Sequence, residues 1–241
     1  MTDGARPIRY SATTHVGRVR QVNEDAILAL PDQRIWIVAD GMGGHAAGDF
    51  ASQTVTEAVA MLPADLPPGD LMRQVRGAIL DAHDIIRAEA AARGGEVIGT
   101  TVVALILSQD HFAALWVGDS RIYRFRNGRA EMLTTDHSLV ADLVLAGEMT
   151  WDEAEHHPQS NAITRAVGVG TELALDKVHG ALEPGDRFLL CSDGLNKYAT
   201  LAQLEALVPG APIETLADRL MQLALDGGGA DNISVIVVDV G

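Results

Sequence analysis

Apolar positions along the chain change period several times, and each change marks an element. Ile8, Tyr10 and Ala12 alternate with polar residues, the two-residue period of a half-buried strand, and further strands are predicted over residues 26–30 and 34–39. The last of these ends in Asp40-Gly41-Met42-Gly43-Gly44, a loop that can turn sharply and bring its backbone close to a ligand. From residue 45 the period becomes helical. Ala47, Phe50, Ala51, Val55, Ala58 and Val59 share a face until Pro63 ends the run. Leu71, Val75, Ala78, Ile79, Ala82, Ile85 and Ile86 then describe a second amphipathic helix, stopped near Gly94-Gly95.

Residues 100–107, 112–117 and 121–125 return to β-branched and apolar character, and Asn127-Gly128 before residues 131–133 is a hairpin signal. The stretch 137–161 is helical in pieces, with Thr150 and Glu153 spaced as a capping box, and is too polar and broken for core; it is read as a mobile surface flap. Strands near 173–182 and 187–192 lead to Asp193-Gly194. Helices over 201–207 and 213–225 follow, and an apolar run at 233–240 suits a buried strand. Strands, paired helices, then more strands indicate an α+β fold rather than a doubly wound parallel sheet. No repeat or linker divides the chain, so residues 1–241 are read as one domain.

With 47% hydrophobic and 21% charged residues, the composition is that of an ordinary globular protein rather than a disordered one. The formal charge of −15 disfavours nucleic acid and anionic membranes as partners, while the surplus carboxylates are what a cation site draws on. Cys191 is the only cysteine, which rules out an intrachain disulfide and a cysteine zinc cluster. The first ten residues lack an apolar segment of signal-peptide length, and no run approaches the roughly 20 apolar residues of a spanning helix. A cytoplasmic protein is the expectation.

Acidic residues fall at strand ends or turns in four places: Glu24-Asp25, Asp40-Gly41, Asp193-Gly194 and Asp231-Asn232. Taken singly, an Asp-Gly pair reads as a turn. Taken together, dispersed aspartates that converge in space suit Mg²⁺, a hard cation that takes a few carboxylates and keeps several waters. The order of five segments adds to this. Residues 17–25 (GRVRQVNED), 38–45 (VADGMGGH), 117–121 (VGDSR), 191–194 (CSDG) and 231–234 (DNIS) resemble, in sequence and order, the metal-dependent protein phosphatases of the 2C (PPM) family in their bacterial stand-alone form.

That resemblance implies a sandwich of two antiparallel β-sheets flanked by helices, with metals between the sheets at one edge. It implies a protein serine/threonine phosphatase in which metal-activated water attacks the phosphoryl group without a phosphoenzyme, using two Mg²⁺ or Mn²⁺ ions with a third possible. By carry-over, Asp40 bridges two metals, Asp193 and Asp231 complete the first, and the Gly41 carbonyl with water held by Glu24 or Asp25 serves the second. Asp119 with Asp193 matches a third-metal position, Arg20 matches the arginine that receives substrate phosphate, and Asn232 supports the site. The implied partners are phosphorylated proteins, the targets of a bacterial serine/threonine kinase and the kinase itself.

Outside the resemblance, Arg20 would be read as a surface charge and Asp119 as a turn cap. His45 lies where members with a shorter loop carry a general-acid histidine; with Met42, Gly43 and Gly44 intervening, it is read as a polar residue at a helix start. His156 and His157 read as solvated flap residues. A cysteine phosphatase would need an arginine six positions after Cys191, where Lys197 stands, and Cys191 ends an apolar strand pattern as a buried thiol. Two alternatives remain: a catalytically silent phosphoprotein-binding scaffold of the same fold, and a hydrolase of small phosphoesters.

Overall fold

The computed structural model describes residues 6–43, 47–154 and 156–241. Strands β1 (Ile8–His15), β2 (Asp25–Leu30) and β3 (Ile35–Gly43) are followed by helices α1 (Ala47–Ala60) and α2 (Pro68–Ala92). Next come β4 (Ile98–Thr100), β5 (Val102–Leu107), β6 (His111–Val117), β7 (Arg121–Arg126) and β8 (Arg129–Met132), then two short helices, α3 (Ala141–Leu145) and α4 (Trp151–Ala154). The chain continues through β9 (Asp176–Ala181), β10 (Arg187–Cys191), α5 (Asp193–Asn196), α6 (Leu201–Leu207), α7 (Ile213–Gly227) and β11 (Ile233–Val240).

One antiparallel sheet has the order β1-β11-β10-β7-β8; the other runs β2-β3-β5-β6-β9, with β4 paired to the end of β3. The sheets pack face to face, and each carries helices on its outer side. This explains why the central strands are apolar on both faces. In β3, Trp36 and Val38 point into the layer between the sheets, where Phe188, Leu190, Ile236 and Val238 of the other sheet meet them. Ile35 and Ile37 point outward, against α1 and α2. In β11, Ile236 and Val238 face the other sheet, whereas Val235 and Val237 face α7, whose Leu216, Ala217, Leu220 and Ala224 form one buried stripe. The expected two-sheet sandwich flanked by helices is the observed fold.

Local signals behave as their chemistry dictates. Asn127 and Gly128 take positive φ, 53° and 75°, between paired Arg126 and Arg129, the geometry of a two-residue hairpin turn. The capping box forms, with the Glu153 N–H donating to Thr150 Oγ1 at 3.2 Å and the Thr150 N–H to Glu153 Oε2 at 2.7 Å. Residues 137–161 do hold two short helices, but their inner side is buried through Val140, Ala141 and Ala154. Residues 173–175 stand outside β9, so the strand expected from 173 begins at Asp176.

The main departure is at Asp40. The chain does not loop there. Strand β3 continues to Gly43 by exchanging its partner β5 for β4, which pairs Gly41 with Thr100 and Gly43 with Ile98. Thr101 stands between β4 and β5 and clamps Asp40 on both sides. Its N–H donates to the Asp40 carbonyl at 2.8 Å, and its Oγ1 accepts the Asp40 N–H at 3.1 Å.

Candidate metal centre

The strand pairings bring the acidic residues to one end of the sandwich. Asp25 opens β2 directly opposite Asp40 in β3, so the two side chains share a face. From the other sheet, Asp193 follows β10 and Asp231 precedes β11; these strands are neighbours, with Cys191 paired to Val235. Asp119 follows β6 on the same end, and the hydroxyl of its neighbour Ser120 lies 2.7 Å from Thr101 Oγ1. A cavity of about 180 Å³ is lined by Arg20, Glu24, Asp40, Gly41, Asp193 and Asp231. A second space, about 10 Å³, is bordered by Asp119, Asp136 and Asp193, leaving Asp193 in the wall between the two.

Both Asp-Gly pairs owe their glycine to close approach rather than to a turn, since neither Gly41 nor Gly194 has positive φ. A Cβ on Gly41 would stand 2.1 Å from the Gly48 carbonyl oxygen and 2.5 Å from that of Glu24; one on Gly194 would stand 2.0 Å from the Asn232 carbonyl oxygen. The glycines therefore let the aspartate-bearing segments press together. Asn232 completes the joint. Its Oδ1 accepts the Glu24 N–H at 2.8 Å, and its Nδ2 donates to the carbonyls of Val16 and Val22 at 3.0 and 2.9 Å, binding the Arg20 loop to the start of β11.

The cost of this convergence appears in the protonation equilibria. Burial, then the charges of Asp25, Asp193, Asp119 and Asp231, push the Asp40 carboxyl well above the usual carboxylate range. Asp119 is raised by burial and by Asp193. Burial pushes Asp25 up to about 7, against the opposing effect of hydroxyl donors such as Ser192 Oγ, 2.8 Å from Asp25 Oδ2. Glu24, less buried, is also raised by desolvation, and its Oε1 accepts the Gly48 N–H at 3.3 Å. Asp231 differs. Burial pushes it up, but hydrogen bonding to Arg20 and the charge of Lys197 outweigh this and hold it below the usual range.

Two side-chain cations sit among these groups. Arg20 Nε lies 2.9 Å from Asp231 Oδ1, and its Nη2 donates to Oδ2 at 3.0 Å. Lys197 Nζ lies 2.7 Å from Asp193 Oδ2 and 3.4 Å from Asp231 Oδ2. With these side chains in place, no three His, Cys, Asp or Glu among the described residues stand as a ready-made ligand group. The donor set nevertheless suits hard divalent ions: mutually repelling carboxylates, a close-packed backbone at Gly41, and a buried Asp25 Oδ1 with no hydrogen-bond partner.

A family model described as protein phosphatase 2C matches residues 13–231. The chain belongs to the protein phosphatase 2C family. Among curated phosphatases of this kind, it is 38% identical over 234 residues to the serine/threonine protein phosphatase PstP of Mycobacterium tuberculosis, covering 97% of this chain but only 45% of that protein. It is 35% identical to the serine/threonine phosphatase stp of Listeria innocua, covering 94% of this chain and 93% of the relative. The solved structure of PppA from Pseudomonas aeruginosa superposes with a TM-score of 0.90 at 40% identity, covering 97% of this chain and 98% of that one. The catalytic domain of PstP in complex with two manganese ions gives 0.87 at 37% identity, covering 97% and 98%. In this chain the acidic segments come from both sheets of the sandwich.

The structure brings Arg20, Glu24, Asp25, Asp40, Gly41, Asp193, Asp231 and Asn232 into one site, with Asp119 on the far side of Asp193. His45 lies outside the described residues. His156 is at a separate cavity beside Lys197, and His157 is confined to a local turn where its Nδ1 accepts the Gln159 N–H. Sequence reasoning missed Lys197, which entered only as a failed arginine count, and Asp136, which carries no motif. Asp136 forms a buried fork with Arg121, at 3.0 Å to Nε and 2.6 Å to Nη2.

Cys191 is fully buried in β10, its Sγ 3.3 Å from Asn196 Oδ1. Cys191→Ser is therefore expected to keep most turnover per folded molecule. Initial rates normalised to folded protein check this; abolished turnover with intact fold and metal content would assign the thiol a chemical role.

Proposed function

We propose that this protein hydrolyses phosphoserine and phosphothreonine on proteins with the help of Mg²⁺ or Mn²⁺. The observation that carries the reading is the meeting of Asp25 and Asp40 from one sheet with Asp193 and Asp231 from the other, in a site whose carboxylates repel one another until cations enter. Asp40, Asp193 and Asp231 would hold the ions directly. The Gly41 carbonyl and the carboxylates of Glu24 and Asp25 would serve the second ion, and Asp119 with Asp193 a third. Bound divalent ions there supply Lewis-acid activation of water and charge neutralisation at phosphorus.

The chain's own groups do the rest. Arg20 stands at the exposed lip of the cavity with a planar fork suited to phosphate oxygens, and would exchange Asp231 for substrate. Asn232 holds the Arg20 loop in place. Residues 137–161 would act as a flap beside the site, because Val140 and Ala154 share the small space next to Asp119. A cytoplasmic setting suits the single buried thiol, and no helix among the described residues is long and apolar enough to cross a membrane. The partners would be phosphoproteins made by a bacterial serine/threonine kinase, and that kinase itself.

Arg20→Ala is expected chiefly to raise KM, since it removes binding to phosphate present in ground and transition states alike. A large fall in kcat at unchanged KM would give Arg20 a transition-state role. Phosphate release from free phosphoserine, a phosphothreonine peptide and a folded phosphoprotein tests the substrate class. Faster turnover of peptide and phosphoprotein is expected. Preference for the free ester would indicate a small-phosphoester hydrolase, and binding without release on any substrate a silent scaffold.

A further inference from the structure

Among the described residues, Lys197 is the side-chain cation held by Asp193 and Asp231 that the proposed phosphatase chemistry does not use. It caps the four-residue helix α5 that begins with Asp193, so Asp193 and Lys197 are one helical turn apart and their side chains meet. The ammonium reaches across to Asp231, the first residue ahead of β11, and its side chain is only 18% exposed. One residue thus spans two carboxylates delivered by neighbouring strands. Arg20 also holds Asp231, through both oxygens, but is half-exposed on a loop, whereas Lys197 is anchored within the helical turn of its partner.

We infer that Lys197 is a resident counter-cation of the metal-binding carboxylates, competing with divalent ions for Asp193 and Asp231 and so raising the free metal concentration the protein requires. This rests on the metal-centre reading above. An ammonium is a compact point charge with three donors and occupies the same oxygen lone pairs that a hard cation needs. A divalent ion entering the site must draw both carboxylates from that ammonium and then sit close to its charge, in surroundings where screening is weak. Because Asp193 also borders the small space shared with Asp119, the same contact would weaken an ion held there too. On its other side the lysine lines a cavity of about 260 Å³ with Asp152, His156 and Thr200, which gives the displaced ammonium room near another carboxylate.

The test is calorimetric titration of the metal-stripped full chain with Mn²⁺ for wild type, Lys197→Met and the charge-retaining Lys197→Arg, with melting curves to establish folding. Lys197→Gln serves if the methionine variant does not fold. The neutral variants are expected to bind Mn²⁺ about tenfold more tightly or better at the weakest site, and to gain a larger Mn²⁺-induced rise in Tm, while Lys197→Arg stays near wild type. Equal or weaker Mn²⁺ binding by the neutral variants, beside a wild type that binds Mn²⁺, overturns the competition alone. A wild type that binds no Mn²⁺ overturns the metal-centre reading and the inference with it.

Discussion

Replacing Asp40 with alanine is expected to lower turnover by on the order of a thousandfold or more at saturating Mn²⁺. Asp40 sits at the centre of the acidic group, where Asp25, Asp193, Asp119 and Asp231 all act on its protonation. The backbone around it is clamped by Thr101 on both its N–H and its carbonyl, which keeps the neighbouring carboxylates in position when the side chain is removed. The same substitution should leave the metal-stripped protein as stable as wild type or more so, because it deletes a buried carboxyl that burial and four like charges disfavour. Steady-state kinetics and thermal melts of one preparation check both halves. Near-normal turnover in the folded variant would remove Asp40 from the metal centre.

Asp136→Ala is expected to be the most destabilising single change near the site. Arg121 and Asp136 are 5% and 6% exposed, and the guanidinium makes its fork to the carboxylate while its Nη1 donates to the Tyr123 hydroxyl at 3.3 Å. Burial raises the Asp136 pKa by more than Arg121 lowers it, so the pair as a whole is no large source of stability. Breaking it is another matter, since truncating one partner leaves a buried charge poorly compensated at a cost of about 3–5 kcal/mol. For a chain of this size that corresponds to a fall in Tm of roughly 10 °C. Differential scanning calorimetry measures it, and the double variant Arg121→Met/Asp136→Leu should recover much of the loss. A fall of only about 1 °C for Asp136→Ala would mean that Arg121 is satisfied without its carboxylate.

What the sequence revealed and what it hid follow from the range of the interactions. The apolar run at β11, the Asn127-Gly128 hairpin and the Thr150 capping box rest on neighbours within a few residues, and each formed as expected. The extension of β3 through Gly43 depends on pairing with β4, where Gly41 meets Thr100 from 59 residues further along the chain, and its glycines locally read as a loop. The acidic members of the site were legible because their order along the chain matched a family. Asp136 and Lys197 were not, since their roles arise from the side chains they meet: Arg121 across a buried space in one case, two carboxylates in the other. The Asp-Gly pairs were legible as glycine sites but not in their reason, which is contact with carbonyls from distant segments.

The central claim is that these carboxylates serve as a metal centre for phosphate hydrolysis, and metal dependence of the wild-type protein tests it most directly. Phosphate release from a phosphothreonine peptide should disappear after treatment with EDTA and return on addition of Mn²⁺. Undiminished release by protein shown by elemental analysis to be free of metal would contradict it.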